Sequence, residues 1–221
     1  MPRQNGNRKT GLMQHSYLVI EGNIGAGKTS LVDLLVNKYQ GRKVLEGFAE
    51  NPFLPKFYED PKRYAFAVEM FFLSERYHQL NNEVLQQSLF NQNTISDYFL
   101  SKSLIFARAN LDSDEFDLFF KMYEIMMTQL PQPDLLVYLH REVDDLQKNI
   151  HKRGRAYEEG ITNDYLYRIQ ESYFQFLKQQ PLKMLLLDVS GVDFVKNPTQ
   201  FEDICIIVDQ PFEKGIKKVV L

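Results

Sequence analysis

The sequence has a single cysteine, no tryptophan and no excess of basic residues. Its 26 Lys and Arg against 29 Asp and Glu give a formal net charge of −3, which argues against bulk nucleic-acid binding because that requires a basic face. Cys205 lies in an apolar stretch and predicts a buried thiol in a reducing compartment. No apolar run approaches the ~20 residues needed to span a bilayer. These features favour a cytoplasmic protein without membrane or nucleic-acid partners.

Residues 1–15 are polar and basic, and they lack the apolar centre of a signal peptide. We expect them to form a disordered leader. A length of 221 residues suits one domain, and no repeat, low-complexity tract or linker marks a second. Residues 16–221 are therefore expected to form a single domain.

The most informative segment follows the apolar run Tyr17–Ile20 and spells G-x-x-x-x-G-K-T. A strand that stops at glycines and restarts as a helix leaves backbone N–H groups free to bind phosphate oxygens. Lys28 is expected to reach the β- and γ-phosphates, and the Thr29 hydroxyl to bind magnesium. The predicted nucleotide-binding residues are Gly22, Asn23, Ile24, Gly25, Ala26, Gly27, Lys28, Thr29 and Ser30.

Short β-type runs alternate with longer helical patterns, which predicts a parallel sheet with helices on both faces. In such sheets ligands bind at the carboxyl ends of the strands, so we expect functional residues just after each strand. The five strand candidates are Tyr17–Ile20, Lys43–Glu46, Thr94–Asp97, Leu135–Leu139 and Met184–Asp188. The helical segments lie near 27–38, 62–90, 99–130, 142–153, 162–179 and 198–208.

Glu46 ends the second strand candidate, where a carboxylate would face the γ-phosphate region. It would repel a phosphate-bearing acceptor but could take a proton from a hydroxyl that attacks phosphorus. This position favours an alcohol acceptor over a monophosphate acceptor. The alternative is a strand-end glutamate that simply meets solvent.

The helix near 62–90 is expected to open at Asp60, a suitable N-cap, with Pro61 in the first turn. Glu69 lies beside the apolar stripe of this helix, and Arg76 follows about two turns later. If these two residues have no functional role, they are expected to form a solvated ion pair at the edge of the stripe.

A basic segment over residues 148–160 holds four Lys and Arg within eight residues and then two glutamates. Arg153 and Arg155 flank a glycine at a predicted helix end, which favours a lid at about 151–161. Its arginines could neutralise charge on the transferring phosphoryl group, and Glu158 could hydrogen-bond a substrate hydroxyl. The alternative is a solvated basic surface.

Four blocks, in order, resemble the deoxynucleoside kinases of the deoxycytidine/deoxyguanosine/deoxyadenosine kinase group: "IEGNIGAGKTSL" at 20–31, "EGFAENPFLPKFYEDPKRYAF" at 46–66, "RGRAYEEGI" at 153–161 and "LDVSGVDF" at 187–194. The resemblance implies a three-layer P-loop kinase fold with a five-stranded parallel sheet. It also implies ATP-dependent phosphorylation of a deoxynucleoside 5′-hydroxyl in nucleotide salvage, with Mg²⁺, by a homodimer. The "NPF" at 51–53 is similar to that of bacterial purine deoxynucleoside kinases and favours deoxyadenosine or deoxyguanosine.

Carried over to this sequence, the resemblance implies that Glu46 takes the 5′-hydroxyl proton. Tyr58 and Glu158 would hold the sugar 3′-hydroxyl, with the Tyr58 ring disfavouring a 2′-hydroxyl. The ATP contacts that it implies beyond the P-loop are Arg153 and Arg155 at the phosphates, and Asp188, Val192, Asp193 and Phe194 in a loop against the adenine.

The chain departs from the family pattern at three places, one of which is Asn149, where an extra lid arginine often stands and Lys148 or Lys152 could substitute. Members usually carry an acidic-Arg-Ser motif after the third strand, whereas here Asp97 supplies the carboxylate for magnesium and no arginine follows. We hypothesise that Lys102, one helical turn later, returns the missing positive charge. Members also commonly place a base-reading glutamine on the long helix. Glu69 stands near that position and, when ionised, could accept hydrogen bonds from an exocyclic amine.

Two other functions remain open at this stage. A nucleoside monophosphate kinase of the thymidylate-kinase type would need arginines aimed at the acceptor phosphate, but residues 46–90 contain only Arg63 and Arg76. A non-catalytic nucleotide-binding regulatory protein is conceivable because the arginine after Asp97 is missing. The basic C-terminal run Lys214–Leu221 suggests no function.

Overall fold

The computed structural model describes residues 14–47, 51–85 and 93–221. Within these ranges six strands are present: β1 Tyr17–Gly22, β2 Arg42–Val44, β3 Thr94–Ser96, β4 Leu135–His140, β5 Lys183–Asp188 and β6 Gly215–Val220. They form one sheet in the order β2-β3-β1-β4-β5-β6, and every pairing is parallel. The predicted α/β fold with a parallel sheet is thereby confirmed.

The sheet has one strand more than the five predicted. Strand β6 pairs with β5 from Lys183–Gly215 to Asp188–Val220, and most of its residues are exposed. Its sequence therefore lacks the continuous apolar pattern of a buried parallel strand. Charged side chains such as Lys217 and Lys218 are common on sheet edges, where they oppose pairing with other chains. The C-terminal basic run is thus an edge strand.

The described ranges contain eight α-helices: α1 Lys28–Tyr39, α2 Leu54–Glu59, α3 Pro61–Leu80, α4 Ser101–Asn110, α5 Ser113–Met127, α6 Val143–Arg153, α7 Asn163–Gln179 and α8 Pro198–Val208. A π-helical turn, Asn81–Leu85, follows α3, and a 3-10 turn, Ala156–Glu158, follows α6. None of the helices in these ranges has both the length and the apolar character needed to cross a membrane.

Helix boundaries follow the capping residues. Helix α3 begins at Pro61, as predicted, and the Asp60 side chain accepts a hydrogen bond from Arg63 N. Residues 86–90 of that predicted helix lie outside the described residues. The helix predicted over 99–130 is two helices, α4 and α5, because the Asp112 side chain accepts from Glu115 N and starts a new helix.

The expected leader covers residues 1–15, of which residues 1–13 lie outside the described residues. His15 is buried, and its Nε2 lies 3.0 Å from the carbonyl oxygen of Val208. Ordered packing therefore extends to His15, one residue before the expected domain start.

Consecutive residues of β1 and β4 are fully buried, including Leu18, Val19 and Ile20. Because neighbouring strand residues point to opposite faces, this pattern means that both faces of the sheet are covered by helices. Helix α4 contacts α3, α5 and α7, so its polar residues are also enclosed. The carboxyl ends of the parallel strands meet at one edge, where the predicted functional residues gather.

Candidate active site

The loop between β1 and α1 has the backbone conformation of a phosphate-binding loop. Gly27 precedes the helix with φ 97°, a value that disfavours any residue with a side chain. Gly22 has φ 154°, and a Cβ atom there would lie 2.7 Å from the Leu139 carbonyl oxygen. No side chain of the described residues caps α1 at Gly27. Its first N–H groups can therefore bind an anion.

Side chains from distant elements hold this loop by its carbonyl oxygens. Asn149 Nδ2 donates to Gly25 O at 2.8 Å, and Arg141 Nε donates to Ala26 O at 3.1 Å. Arg141 also donates through Nη2 to Val192 O at 2.8 Å. Because these contacts use carbonyl groups, they do not occupy the N–H groups at the start of α1, which can bind phosphate. Sequence reasoning missed Arg141, although its position directly after β4 is at the functional edge of the sheet.

Lys28 lies inside the loop rather than outside it. Its Nζ donates to Gly22 O and Asn23 O, both at 2.9 Å. Burial, reinforced by the nearby positive charge of Lys102, lowers the pKa of Lys28 to about 8. The ammonium group is thus fixed at the loop centre, with a pKa close to neutral pH.

Asp97 links the P-loop helix to the segment after β2. Its Oδ2 accepts from Thr29 Oγ1 at 2.7 Å, and its Oδ1 accepts from Glu46 N at 2.9 Å. The hydroxyl and carboxylate oxygens beside the phosphate loop fit Mg²⁺, which keeps several waters and takes one or two protein ligands together with substrate phosphates. Within the described ranges no cluster of three or more His, Cys, Asp or Glu could hold a metal alone.

Glu46 is the centre of a buried charge network. Arg76 Nε and Nη2 donate to Glu46 Oε1 at 2.8 and 2.5 Å, and Lys102 Nζ donates to Oε2 at 2.5 Å. The side chains of Glu46, Arg76 and Lys102 are only 13%, 5% and 6% exposed. Burial alone would raise the pKa of Glu46, but the charges and hydrogen bonds of Arg76 and Lys102 outweigh it and hold that pKa far below its usual range. Glu46 is therefore ionised.

Arg76 is the residue that sequence reasoning missed at this centre. The solvated Glu69–Arg76 pair is wrong, because both side chains are buried and Arg76 pairs with Glu46 instead. It also donates through Nη1 to Ser103 Oγ at 2.7 Å. One signal was available, since Arg76 follows Leu73 and precedes Leu80 at helical spacing and so lies on the buried face. An arginine on such a face needs a buried partner.

Glu69 lines the same cavity as Glu46 and is hydrogen-bonded to Asn110. Asn110 Nδ2 donates to Glu69 Oε1 at 2.7 Å and lies 3.3 Å from Tyr165 Oη. Glu69 Oε2 is buried and has no hydrogen-bond partner among the described residues. Burial raises the pKa of Glu69 to about 7. The apolar residues that line the cavity shared by Glu46 and Glu69 include Leu54, Phe57, Val68, Phe72 and Phe106.

The lid segment folds over the pocket through its own ion pairs. Gly154, at φ 67°, ends α6, and Arg153 and Arg155 both bind the buried Glu158 carboxylate. Tyr58 stacks on Tyr157 with ring centroids 6.5 Å apart. The structure thus brings Arg153, Arg155, Glu158 and Tyr58 together.

Two cavities share the centre of the site. The first runs from the P-loop past Glu46 to Glu69 and includes Tyr58, Lys102 and the lid residues. The second is lined by P-loop residues and by the 191–196 loop. Lys28, Thr29 and Arg153 line both, so two bound reactants would meet there.

The predicted nucleotide contacts divide between these cavities. The second cavity contains Gly25, Gly27, Lys28, Thr29, Ser30, Arg153, Val192, Asp193 and Phe194, together with Arg141, Lys148 and Lys196, which sequence reasoning did not assign to it. Ile24 and Arg155 line the first cavity instead. Gly22, Asn23, Ala26 and Asp188 line neither. Asp188 accepts from Ser190 N at 3.0 Å and so shapes the loop. Asn23 Oδ1 accepts from Ile24 N at 2.8 Å inside the P-loop.

Comparisons with known proteins agree on one family. The sequence model of the family described as "Deoxynucleoside kinase" matches residues 18–212. A deoxyguanosine kinase of Bacillus subtilis is 35% identical over 199 residues, covering 88% of this chain and 96% of the relative. A deoxyadenosine kinase of Lactobacillus acidophilus is 31% identical over 210 residues, covering 87% and 94%. A solved deoxyadenosine kinase of M. mycoides, with products dCMP and a flexible dCDP bound, superimposes with TM-score 0.74 at 27% identity, covering 87% and 98%.

Proposed function

The chain belongs to the deoxynucleoside kinase family and phosphorylates the 5′-hydroxyl of a deoxynucleoside, and we propose that its preferred acceptors are deoxyadenosine and deoxyguanosine, with Mg-ATP as donor. The monophosphate-kinase and regulatory alternatives are set aside by family membership. The residue roles that follow are part of the same proposal.

The observation that carries the proposal is the hydrogen bonding of Glu46. An ionised carboxylate has about four lone-pair positions, and Arg76 and Lys102 occupy three of them. The remaining position, on Oε2, is suited to a neutral hydroxyl group. A phosphate-bearing acceptor would instead bring negative charge against a buried carboxylate.

Donor binding is the role of the P-loop and its neighbours, which line the second cavity, called here the donor cavity. The N–H groups at the start of α1 and the Lys28 ammonium group hold the phosphates, while Thr29 and Asp97 hold Mg²⁺. The ion supplies neutralisation of charge on the β- and γ-phosphates. Val192, Asp193 and Phe194 lie at the adenine. Arg153, which lines both cavities, stabilises charge on the phosphoryl group during transfer.

Acceptor activation is the role of Glu46, which lines the first cavity, called here the acceptor cavity. It orients the 5′-hydroxyl for in-line attack and accepts the proton as the oxygen bonds to phosphorus, when that proton becomes strongly acidic. The low pKa of Glu46 makes it a weak base in the ground state, which suits a reaction in which positioning and charge stabilisation dominate. Tyr58 and Glu158 hold the 3′-hydroxyl, and the lid excludes water.

Purine preference is supported by the Glu69 end of the acceptor cavity, called here the base end, and by the relatives. A carboxylate at Glu69 accepts hydrogen bonds from an exocyclic amino group, whereas thymine presents a carbonyl there. Two of the relatives are named for deoxyguanosine and deoxyadenosine. Cytosine also carries an amino group, so the acceptor survey includes deoxycytidine.

The acceptor survey uses purified protein, Mg-ATP and each of the four deoxynucleosides, with chromatographic separation of the products. We expect deoxynucleoside 5′-monophosphates, with the two purines giving the highest kcat/KM. The same survey with the four monophosphates is expected to give no transfer. Pyrimidine acceptors ahead of both purines would contradict the purine assignment.

We also propose a cytoplasmic homodimer. A single buried free thiol, Cys205, suits a reducing compartment. Helix α5 exposes Leu118 and Ile125 by 53% and 62%, and with Met122 they recur at helical spacing on one face. A second copy of the chain would cover this apolar face. Light scattering should give a dimer mass for the parent and a monomer mass for Ile125→Glu, with Ile206→Glu, an exposed position on α8, as the matched control.

A further inference from the structure

We propose that Glu69 selects between the two purines by its own protonation, so that its ionised form favours deoxyguanosine and its neutral form favours deoxyadenosine. This inference rests on the proposed purine kinase function and adds a mechanism for the choice of base. It makes Glu69 a specificity-determining residue whose state depends on pH.

The geometry leaves both oxygens of Glu69 with capacity for a ligand. The residue is 2% exposed, and its Oε1 accepts one hydrogen bond, from Asn110 Nδ2 at 2.7 Å, which leaves a second lone-pair position on that oxygen. Its Oε2 has no hydrogen-bond partner among the described residues. The residue lines the acceptor cavity beside Val68 and Phe72. A buried polar atom without a partner is costly. A base edge that reaches this oxygen would remove that cost.

The two purines present opposite patterns on the edge used for base pairing. Guanine offers two donors side by side, N1–H and the N2 amino group, which match an ionised carboxylate that only accepts. Adenine offers an acceptor, N1, beside a donor, the N6 amino group. A neutral carboxylic acid matches it, because one oxygen donates its O–H and the other accepts.

The surroundings of Glu69 balance the two protonation states. Burial favours the neutral form, and the charge of Glu46, after β2, acts in the same direction. The Asn110 hydrogen bond from α4, together with the charges of Arg76 on α3 and Lys102 on α4, favours the ionised form. The result is a pKa raised to about 7, so both forms are populated near neutral pH.

Two further titratable groups face the same region. Tyr165 on α7 and Tyr58 on α2 each have a pKa raised mainly by burial, with the Glu69 charge contributing. Both tyrosines therefore stay neutral over the range in which Glu69 titrates. Glu69 is thus the group at the base end that changes charge near neutrality.

The test compares kcat/KM for deoxyguanosine and deoxyadenosine from about pH 6 to about pH 8, at saturating Mg-ATP. The ratio of the two constants cancels titrations that affect both substrates, including those of Lys28 and Glu46. We expect the deoxyguanosine/deoxyadenosine ratio to rise by about tenfold to one-hundredfold over this range, since each form binds one purine better. A ratio that stays flat while both purines are phosphorylated, or that falls with pH, overturns the inference and leaves the proposed function standing. Failure to phosphorylate either purine overturns both.

Glu69→Gln gives the matched test. An amide presents one fixed donor and one fixed acceptor, so the ratio should become independent of pH and shift toward deoxyadenosine. Glu75→Gln, at an exposed position of the same helix, should keep the pH profile of the parent. A Glu69→Gln profile that still follows the parent contradicts the inference.

Asn110→Ala offers a readout that does not depend on the Glu69→Gln variant. It removes the hydrogen bond that stabilises ionised Glu69, so the midpoint of the ratio profile should move upward by about half to one pH unit. A general loss of structure would lower both rates without moving the midpoint. An unchanged midpoint in an active variant contradicts the assignment of the profile to Glu69.

Discussion

The two halves of the active site are built in different ways. The donor half consists largely of one contiguous segment, Gly22–Ser30, whose backbone N–H groups and glycine conformations form the binding surface. The acceptor half is assembled from buried side chains that are distant in sequence, with Arg76 and Lys102 both within hydrogen-bond distance of Glu46. The donor half therefore depends on local backbone geometry, whereas the acceptor half depends on tertiary packing.

This difference has a consequence for substitutions. A change in the donor half should alter nucleotide binding with little effect on the acceptor, because its carbonyl contacts come from separate residues such as Arg141 and Asn149. A change in the acceptor half removes one member of a buried charge network, so the remaining members lose their partners. Such substitutions should affect catalysis and stability together.

The largest expected effect is that of Glu46→Gln. The amide keeps a carbonyl oxygen for Arg76 but cannot accept the hydroxyl proton, so kcat/KM should fall by about 10²- to 10⁴-fold. Nucleotide affinity, measured by calorimetry, should stay close to that of the parent because Glu46 does not line the donor cavity. An amide variant as fast as the parent would falsify the catalytic role of Glu46 and remove this difference between the donor and acceptor halves of the site.

Lys102→Ala should have the next largest effect. It leaves Glu46 with one cationic partner and removes a positive charge from the transfer region, so kcat should fall by about 10²-fold. Lys102→Arg should recover part of this loss. Lys178→Ala, at an exposed position near the end of α7, serves as the control. Unchanged turnover in Lys102→Ala would remove Lys102 from the acceptor half.

Changing pH should separate the halves without any substitution. Lys28 carries its charge below its pKa of about 8 and loses it above, so kcat/KM for ATP should fall by about tenfold per pH unit above that value. Saturating deoxynucleoside keeps the acceptor half constant during the measurement. A profile for ATP that stays level up to about pH 10, near the ordinary pKa of lysine, would contradict the lowered pKa of Lys28.

The smallest effects are expected at the lid. Arg155 lines only the acceptor cavity, whereas Arg153 lines both. Arg155→Ala should raise KM for the deoxynucleoside by about three- to tenfold and leave KM for ATP nearly constant, while Arg153→Ala should also lower kcat. Equal effects of the two variants on ATP would restore the interpretation that both arginines act on its phosphates.

The sequence predicted best those features that a short segment determines alone. The P-loop, the start of α3 at Asp60–Pro61 and the strand–helix alternation follow from glycine positions, a cap and periodicity. The rule that ligands gather at strand ends also placed Glu46 and Asp97 at the same edge. These inferences needed no knowledge of packing.

The features that were missed depend on contacts between distant residues. Arg76 was interpreted as a surface residue because its partner, Glu46, lies 30 positions earlier. Strand β6 was missed because an exposed edge strand lacks the apolar pattern of its buried neighbours. In each case a tertiary partner decides the structure, and local sequence does not specify that partner.

The short bridge through Asp97 has a consequence for how this site could change over time. Its two oxygens accept hydrogen bonds from Thr29, 68 positions away, and from the backbone of Glu46, 51 positions away. One side chain therefore sets the distance between the donor and acceptor halves. Loops on either side can be rebuilt to hold another base or another donor while the reacting atoms keep their separation. Substrate range and reaction geometry are therefore free to evolve independently.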